Sequence, residues 1–329
     1  MNDHDFQVKL EQEVSSRWTP KKVQNSVLTQ VYDNLSDKLG FSTQKIERVS
    51  NCGSYLEFHN TASGYKLKMA NFCRDRLCPM CQWRRSLKMF SQVSKCCDFI
   101  ISDPQYSEVK FAFLTLTVRN AKSQDLKETI DKLLSAYWKL THKTKLFRKS
   151  IILGSMRSIE VTYNTYRKDW HPHIHVILVL SSEYFCKENY LTQKQWSELW
   201  ASCIDVSYNP VIDIRVIKNY HVGNDVQINQ DAIKKAVAEV AKYSVKGSDF
   251  LFPDDLGYSE ELVKILHPAL SGRRLYGFTG LFNDVRKKLN LDDPDDGDLV
   301  HLDDESMNTE IADQVITYHW KAGGYIMKA

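Results

Sequence analysis

The ten residues Trp170-His171-Pro172-His173-Ile174-His175-Val176-Ile177-Leu178-Val179 constrain the fold more than any other stretch. Side chains alternate across a strand, so His173 and His175 share one face and Ile174 takes the other. The apolar, β-branched run that follows suits an inner strand. Three histidines fall within five residues although the whole chain has only 10, which argues against a strand that is His-rich by chance. A sheet is therefore expected whose face carries two imidazoles side by side. Such a pair is half of a metal site.

The 329 residues allow one large or two moderate domains with an ample core. Composition is that of a globular protein, 43% hydrophobic and 26% charged. No stretch approaches the roughly 20 apolar residues of a membrane span, so no membrane partner is expected. The start, Met1-Asn2-Asp3-His4-Asp5-Phe6, is acidic and lacks an apolar signal core, which predicts a cytoplasmic location. Net charge is +3, but residues 251–329 hold 8 Lys+Arg against 15 Asp+Glu. The preceding 250 residues are correspondingly basic, as a polyanion partner would require; plain solubility explains the same charge equally well. Eight cysteines in a cytoplasmic chain point to metal or free thiols rather than disulfides.

Along the chain, residues 1–50 read as polar helix. Thr19-Pro20 offers a start, and Val23, Val27, Val31 and Leu35 recur at every fourth position. Six of the eight cysteines lie in residues 51–97. Strands are predicted at 110–118, 156–164, in the histidine segment and at 211–217. Helices are predicted from about Ser123, with Leu126, Ile130, Leu133, Leu134, Tyr137 and Trp138 on one side, from Thr192 to about Cys203, and from Gln230 to Lys246. The order β-α-β-β-α-β-α predicts an α+β fold: an antiparallel-centred sheet with helices on one face, of ferredoxin-like type. Three domains are expected: 1–105, helical with a Cys-rich zinc-binding module; 106–250, the sheet core; and 251–329, an acidic appendage. Within the last, residues 273–278 suggest a short strand and Asp292 to Glu305 an exposed acidic loop.

Two histidines leave a metal short of ligands. If 156–164 and 171–180 pair as a hairpin, Glu160 lies beside His173 and His175. One carboxylate with two imidazoles suits Mn²⁺, Mg²⁺, Zn²⁺ or a related divalent ion, which can polarise a phosphoryl oxygen. A cross-strand salt bridge is the plain alternative for Glu160. His171, two residues earlier on the same face, is a ligand, a phosphate contact or neither. In the helix predicted to end at Lys246, Glu239 and Tyr243 stand four apart on one face, flanked by Lys242 and Lys246. A tyrosine hydroxyl can act as a covalent nucleophile. Its ordinary pKa of about 10 needs lowering, which nearby cations or a metal-bound phosphate could supply. Alone, such a tyrosine is a packing residue; beside the histidine strand it gains meaning.

Cys78-Pro79-Met80-Cys81 is a CxxC knuckle, with Cys73 five residues earlier and Cys52 further upstream. Four thiolates could hold one structural Zn²⁺. Cys96, Cys97 and His59 compete as ligands, while Cys186 and Cys203 read as core thiols. Arg74, Arg76, Trp83, Arg84 and Arg85 suit a zinc-stapled module that touches DNA, or equally a core Trp among solvated arginines.

Three ordered segments carry a family resemblance: Phe113-Leu114-Thr115-Leu116-Thr117-Val118, His171-Pro172-His173-Ile174-His175-Val176 and Glu239-Val240-Ala241-Lys242-Tyr243. With the Cys-rich run 71–85 and Gly272-Arg273-Arg274-Leu275-Tyr276-Gly277-Phe278, they make the chain resemble, over about residues 50 to 300, the rolling-circle replication initiators of small Gram-positive plasmids. These belong to the HUH endonuclease superfamily, and the Glu four residues before the Tyr is similar to the single-tyrosine group with a helper glutamate. The resemblance implies a metal-dependent, site-specific nicking and joining enzyme. A divalent ion, Mn²⁺ or Mg²⁺, at Glu160, His173 and His175 would hold the scissile phosphate of the single-stranded nick site at the double-strand origin. Tyr243 would attack it, leaving a 5′-phosphotyrosine link and a 3′-OH primer, and Glu239 would activate water at termination. Lys242, Lys246, His171, Arg84 and Arg85 are candidate DNA or phosphate contacts. A host helicase and polymerase are implied as partners, and an oligomer is compatible with the sequence. The rivals are a relaxase or HUH transposase with the same chemistry, a non-catalytic zinc-containing DNA-binding regulator, and a metal-dependent hydrolase of small phosphoesters.

Overall fold

The computed structural model describes residues 3–62, 64–217, 220–222, 225–227, 229–293, 295–302 and 315–328. In chain order, α1 (Asp3–Glu13) passes through a π-helical turn into α2 (Thr19–Asn34), followed by α3 (Ser36–Leu39) and α4 (Thr43–Ser50). The hairpin β1 (Tyr55–Thr61) and β2 (Gly64–Ala70) precedes α5 (Pro79–Ser102). Then come β3 (Lys110–Thr117), α6 (Leu126–Lys143), α7 (Lys145–Arg148), β4 (Ile152–Asn164) and β5 (Asp169–Leu180). Next are α8 (Gln193–Ile204), β6 (Ile212–Val216), the short pair β7 (Tyr220–Val222) and β8 (Asp225–Gln227), and α9 (Gln230–Val240). The chain closes with α10 (Leu256–Leu270), β9 (Tyr276–Gly280), α11 (Leu281–Lys288), β10 (Val315–Lys321) and β11 (Gly324–Lys328).

Two compact units form: residues 1–88, 246–271 and 296–329 make the first, and residues 89–245 and 272–295 the second. The first contains an antiparallel sheet in the order β11-β10-β1-β2. Its strands alternate as a half-covered sheet should: Leu56, Phe58, Ile316 and Tyr318 are buried while their neighbours are not. Trp18 anchors that buried face, with Phe58 edge-on at 5.9 Å and Trp83 at 4.7 Å. On α2, Val27, Val31 and the following Leu35 are buried as their spacing predicts, but Val23 is exposed.

The second unit holds the sheet β6-β3-β5-β4-β9, antiparallel at every pairing. The run β3-α6-β4-β5-α8-β6 with spatial order β6-β3-β5-β4 is the ferredoxin-like arrangement expected from the sequence. The histidine strand β5 lies at its centre, and Ile174, Val176, Ile177, Leu178 and Val179 are buried, which is why the run is apolar at successive positions. On α6, Leu126, Ile130, Leu133, Tyr137 and Leu140 are buried, and α8 buries Trp196 and Trp200. Trp138, expected on the same side of α6, is exposed and stacks on His142 instead. Thr192 caps α8 through a reciprocal pairing with Gln195.

The expected division at 105 and 250 differs from the observed one. Residues 251–329 are not an appendage: they give α10, β10 and β11 to the first unit, and β9 and α11 to the second. Strand pairing across long sequence distance drives this, since β9 completes an edge of β4 and β10 an edge of β1. The acidic stretch from Asp292 is irregular, as expected of a loop, but not wholly exposed, since Asp295 and Leu299 are buried; its end, 303–305, lies outside the described residues. No helix among the described residues is long and apolar enough to cross a membrane.

Candidate active site and metal centres

The β4–β5 hairpin sets Glu160 opposite His173 and Ser158 opposite His175, the pairing inferred from the strand pattern. Glu160 Oε2 stands 3.2 Å from His173 Nε2 and 2.9 Å from His175 Nε2, and the two Nε2 atoms are 3.0 Å apart. All three residues are buried. His173 Nδ1 donates to the His171 carbonyl at 3.1 Å, which turns Nε2 toward Glu160. His175 Nδ1 meets Thr115 Oγ1 at 3.3 Å, and Phe113 stacks on its ring. Burial alone would raise the Glu160 carboxyl, but hydrogen bonds and charge from both histidines outweigh it and hold the group well below the usual carboxylate range. Three ligand atoms of buried residues this close together repel one another unless a cation or a shared proton lies between them. The donor set, two imidazoles and a carboxylate, fits a divalent ion.

His171 is half-buried, with its ring 5.0 Å from that of His173. Asn120 Nδ2 donates to Asp169 Oδ1 at 2.9 Å, so Asn120 Oδ1 accepts from His171 Nδ1 at 2.8 Å. This fixes the proton on Nδ1 and leaves the lone pair on Nε2. Burial, then the neighbouring His173, lowers the His171 pKa. Asn120 was not legible in the sequence as a site residue; only the fold brings the end of β3 beside β5.

Tyr243 departs from its expected place. The helix ends at Val240, not Lys246, so Glu239 and Tyr243 do not stack on one helical face. The reason is tertiary: Val161 N donates to Ser244 O at 2.7 Å, drawing the chain after the helix alongside β4. That bond is one residue along β4 from Glu160. The Tyr243 side chain is half-buried. Glu239, in the last turn of α9, pairs with Lys242 at 2.5 Å. Lys246 is exposed and opens the segment 246–271 of the first unit.

The cysteines gather as expected in the first unit. Cys52, Cys73, Cys78 and Cys81 are all buried, with ligand atoms within 4.8 Å of one another. Backbone amides point at the sulfurs: Arg74 N at 3.1 Å from Cys81 Sγ and Cys73 N at 3.4 Å from Cys52 Sγ. Burial opposes ionisation of Cys81, but hydrogen bonds from the other three thiols, and the charge of Arg85, pull it well below the ordinary thiol range. Cys73, through its hydrogen bond with Cys52, and Cys78, through burial, are pushed the other way, well above that range. Four sulfurs converging on one point fit a tetrahedral metal ion. Cys96, Cys97 and His59 fall outside the cluster. Two residues the sequence did not single out support it. Asn25 Nδ2 donates to Cys78 Sγ at 3.5 Å, and Lys22, only 2% exposed, donates to Asn25 Oδ1 at 3.0 Å. Burial lowers the Lys22 pKa and the nearby cysteines oppose that, so lysine and sulfurs favour each other's charge.

Arg84 and Arg85, expected as DNA contacts, are 6% and 2% exposed. Arg84 donates to the carbonyls of Leu299 and Val300, and Arg85 to those of Asp75 and Arg74. Their guanidiniums tie loops down and are turned away from solvent. An arginine-rich run looks the same in sequence whether its heads are wet or bonded to carbonyls.

Comparison with known proteins bears on this geometry. A family profile described as replication protein (Rep_1) matches residues 64–326. "Protein rep" of Bacillus amyloliquefaciens is 36% identical over 331 residues, covering 94% of each chain. "Protein rep" of Streptococcus pneumoniae serotype 2 (strain D39 / NCTC 7466) is 35% identical, covering 88% of this chain and 84% of the relative. A "Replication protein" of Staphylococcus aureus is 31% identical, covering 68% and 93%. No solved structure matches. The similarity spans both units and every cluster described above, and the chain belongs to the Rep_1 family of replication proteins.

Proposed function

We infer that this chain initiates rolling-circle replication of a plasmid by nicking one strand of its origin. The observation that carries the reading is the buried Glu160–His173–His175 cluster with the Tyr243 segment bonded to the next residue of β4. A divalent ion there, Mn²⁺ or Mg²⁺ by its mixed nitrogen and oxygen donors, would polarise the scissile phosphate. Tyr243 Oη attacks phosphorus, the bond to the 3′ oxygen breaks, and that oxygen leaves as a 3′-OH after taking a proton. The 5′-phosphate stays on the tyrosine, so the phosphodiester energy is conserved and no nucleotide cofactor is consumed. The 3′-OH is a polymerase primer, which makes a host polymerase and a strand-separating helicase the expected partners.

Lys242 would offset phosphate charge, and His171, with its Nε2 lone pair, would accept a proton from the nucleophile or from a water. Glu239 would activate the water that ends the cycle, cutting the regenerated origin without a second tyrosine link. Its carboxylate is held by the ion pair with Lys242. The four cysteines would hold a structural Zn²⁺, which soft thiolates select.

The test is incubation with an origin oligonucleotide and Mn²⁺, read by mass spectrometry. A tyrosine–DNA adduct on the peptide containing Tyr243, absent in Tyr243→Phe while DNA binding persists, is the expected result. Cleavage that continues in Tyr243→Phe would overturn the assignment.

A further inference from the structure

The sheet of the first unit has a second face that its core does not use. The buried residues Leu56, Phe58, Ile316 and Tyr318 take one side, so Tyr55, Glu57 and His59 of β1 take the other. Register extends that face across the strands. Tyr55 lies opposite His319, Glu57 opposite Thr317, and His59 opposite Val315. On β11, Ile326 faces His319, Lys328 faces Thr317, and Lys321 closes the row. On β2, a bulge brings Met69 and Lys66 onto the same side, opposite Glu57 and His59.

This face is unusual in composition. Met69, Ile326 and Val315 are 54%, 49% and 41% exposed, which puts three of the chain's large exposed apolar side chains on one sheet surface. Between them the Tyr55 and His319 rings sit 5.2 Å apart at 68°. Lysines stand at its margins: Lys66 on the β2 edge, and Lys321 and Lys328 toward β11. The one acid among these residues, Glu57, has both oxygens engaged, by the Tyr55 hydroxyl and by His59. The surface is thus apolar and aromatic in its middle and basic at its rim, with its one carboxylate held by Tyr55 and His59.

We propose that this sheet face binds single-stranded DNA, with bases stacked on Tyr55 and His319 and lying against Met69 and Ile326, and the backbone followed by Lys66, Lys321 and Lys328. It rests on the reading that the chain works on a DNA strand, and names a holding surface in addition to the nicking site. Size decides between a strand and a duplex. Four strands at the usual spacing are about 14 Å across between edge axes. The major groove is about 12 Å wide, so the sheet cannot enter it face-on. A duplex also hides the base faces that aromatic rings contact, whereas an unpaired strand offers them at every nucleotide.

The test uses the full-length, zinc-loaded protein and a fluorescein-labelled 20-mer oligothymidine, read by anisotropy. The double variant Lys321→Glu/Lys328→Glu changes exposed charges only, and Tyr55→Ala/His319→Ala removes the rings. Each is expected to weaken binding at least tenfold, with zinc content unchanged. An oligonucleotide carrying 5-iododeoxyuridine should photocrosslink to peptides from residues 55–70 or 315–328. Unchanged affinity in both variants, or crosslinks confined to residues 152–175, would overturn the proposal. So would tighter binding of a duplex that is weakened by the same substitutions, or an Ile326→Glu variant that converts a dimer to monomer in sedimentation without affecting DNA. The two readings separate cleanly. Sheet variants at saturating protein should still form the Tyr243 adduct. Wild-type protein that forms no adduct but loses oligothymidine on sheet substitution would remove the nicking reading and keep this surface.

Discussion

Glu160 shows how one side chain's surroundings fix its chemistry. It is held anionic by two imidazoles against the penalty of burial, so an isosteric amide keeps the shape and loses the charge. Glu160→Gln is therefore expected to lower single-turnover cleavage of an origin oligonucleotide by at least about 100-fold, with Mn²⁺ affinity by electron paramagnetic resonance falling alongside. A loss of cleavage without loss of metal would instead make Glu160 a salt-bridge partner. Arg85 makes the opposite point. Its guanidinium is spent on the carbonyls of Arg74 and Asp75, so Arg85→Met takes the donor from two part-buried acceptors, at roughly 1 kcal/mol each. Urea denaturation should record that loss, while DNA affinity of the folded variant stays within about twofold. Sequence showed the histidine pair and the thiols because few residue types do that chemistry. It did not show which arginines face water, because charge is written in the sequence and direction is not.

Helices and strands were legible where one period dominated. The alternation in β3 and the apolar run of β5 gave both strands nearly to their ends, and Thr192 marked the start of α8. The end of α9 was not legible, because residues 241–246 contain no Gly or Pro and the helix stops for a partner 80 residues away in the chain, the Val161 amide. Packing between α4 and α10 likewise makes a prediction that no local pattern suggests. Lys45 Nζ donates to His267 Nε2 at 2.9 Å, so that nitrogen is unprotonated in the fold. Burial, with the Lys45 charge, lowers the His267 pKa below 6.5. Between the lowered value and 6.5 the unfolded chain binds more protons, so stability rises with pH through that window and levels off above it. The difference in urea midpoint between pH 5.5 and 7.5 is expected to shrink in His267→Gln; an unchanged difference would mean His267 takes no part.

At the scale of the molecule, the thiol cluster adds a cross-link to the apolar core of the first unit. Structural zinc in small domains is worth about 10–16 kcal/mol of apparent binding energy, more than a typical domain's whole stability. Chelation should therefore accelerate amide exchange in residues 55–70 and 315–328 while β3 and β5 keep their protection, as measured by hydrogen exchange. Uniform loss across both units would refute a role confined to the first. The sequence by itself determined the ferredoxin-like order of the second unit, the two clusters of candidate metal ligands and the family resemblance, since each rests on residue chemistry or on periodicity within a short window. Tertiary structure alone decided that the last 79 residues are divided between two sheets, that Asn120 orients His171, and that the Tyr243 segment leaves its helix to lie along β4. Those depend on hydrogen bonds between residues far apart in the chain, whose partners exist only once the sheet has closed.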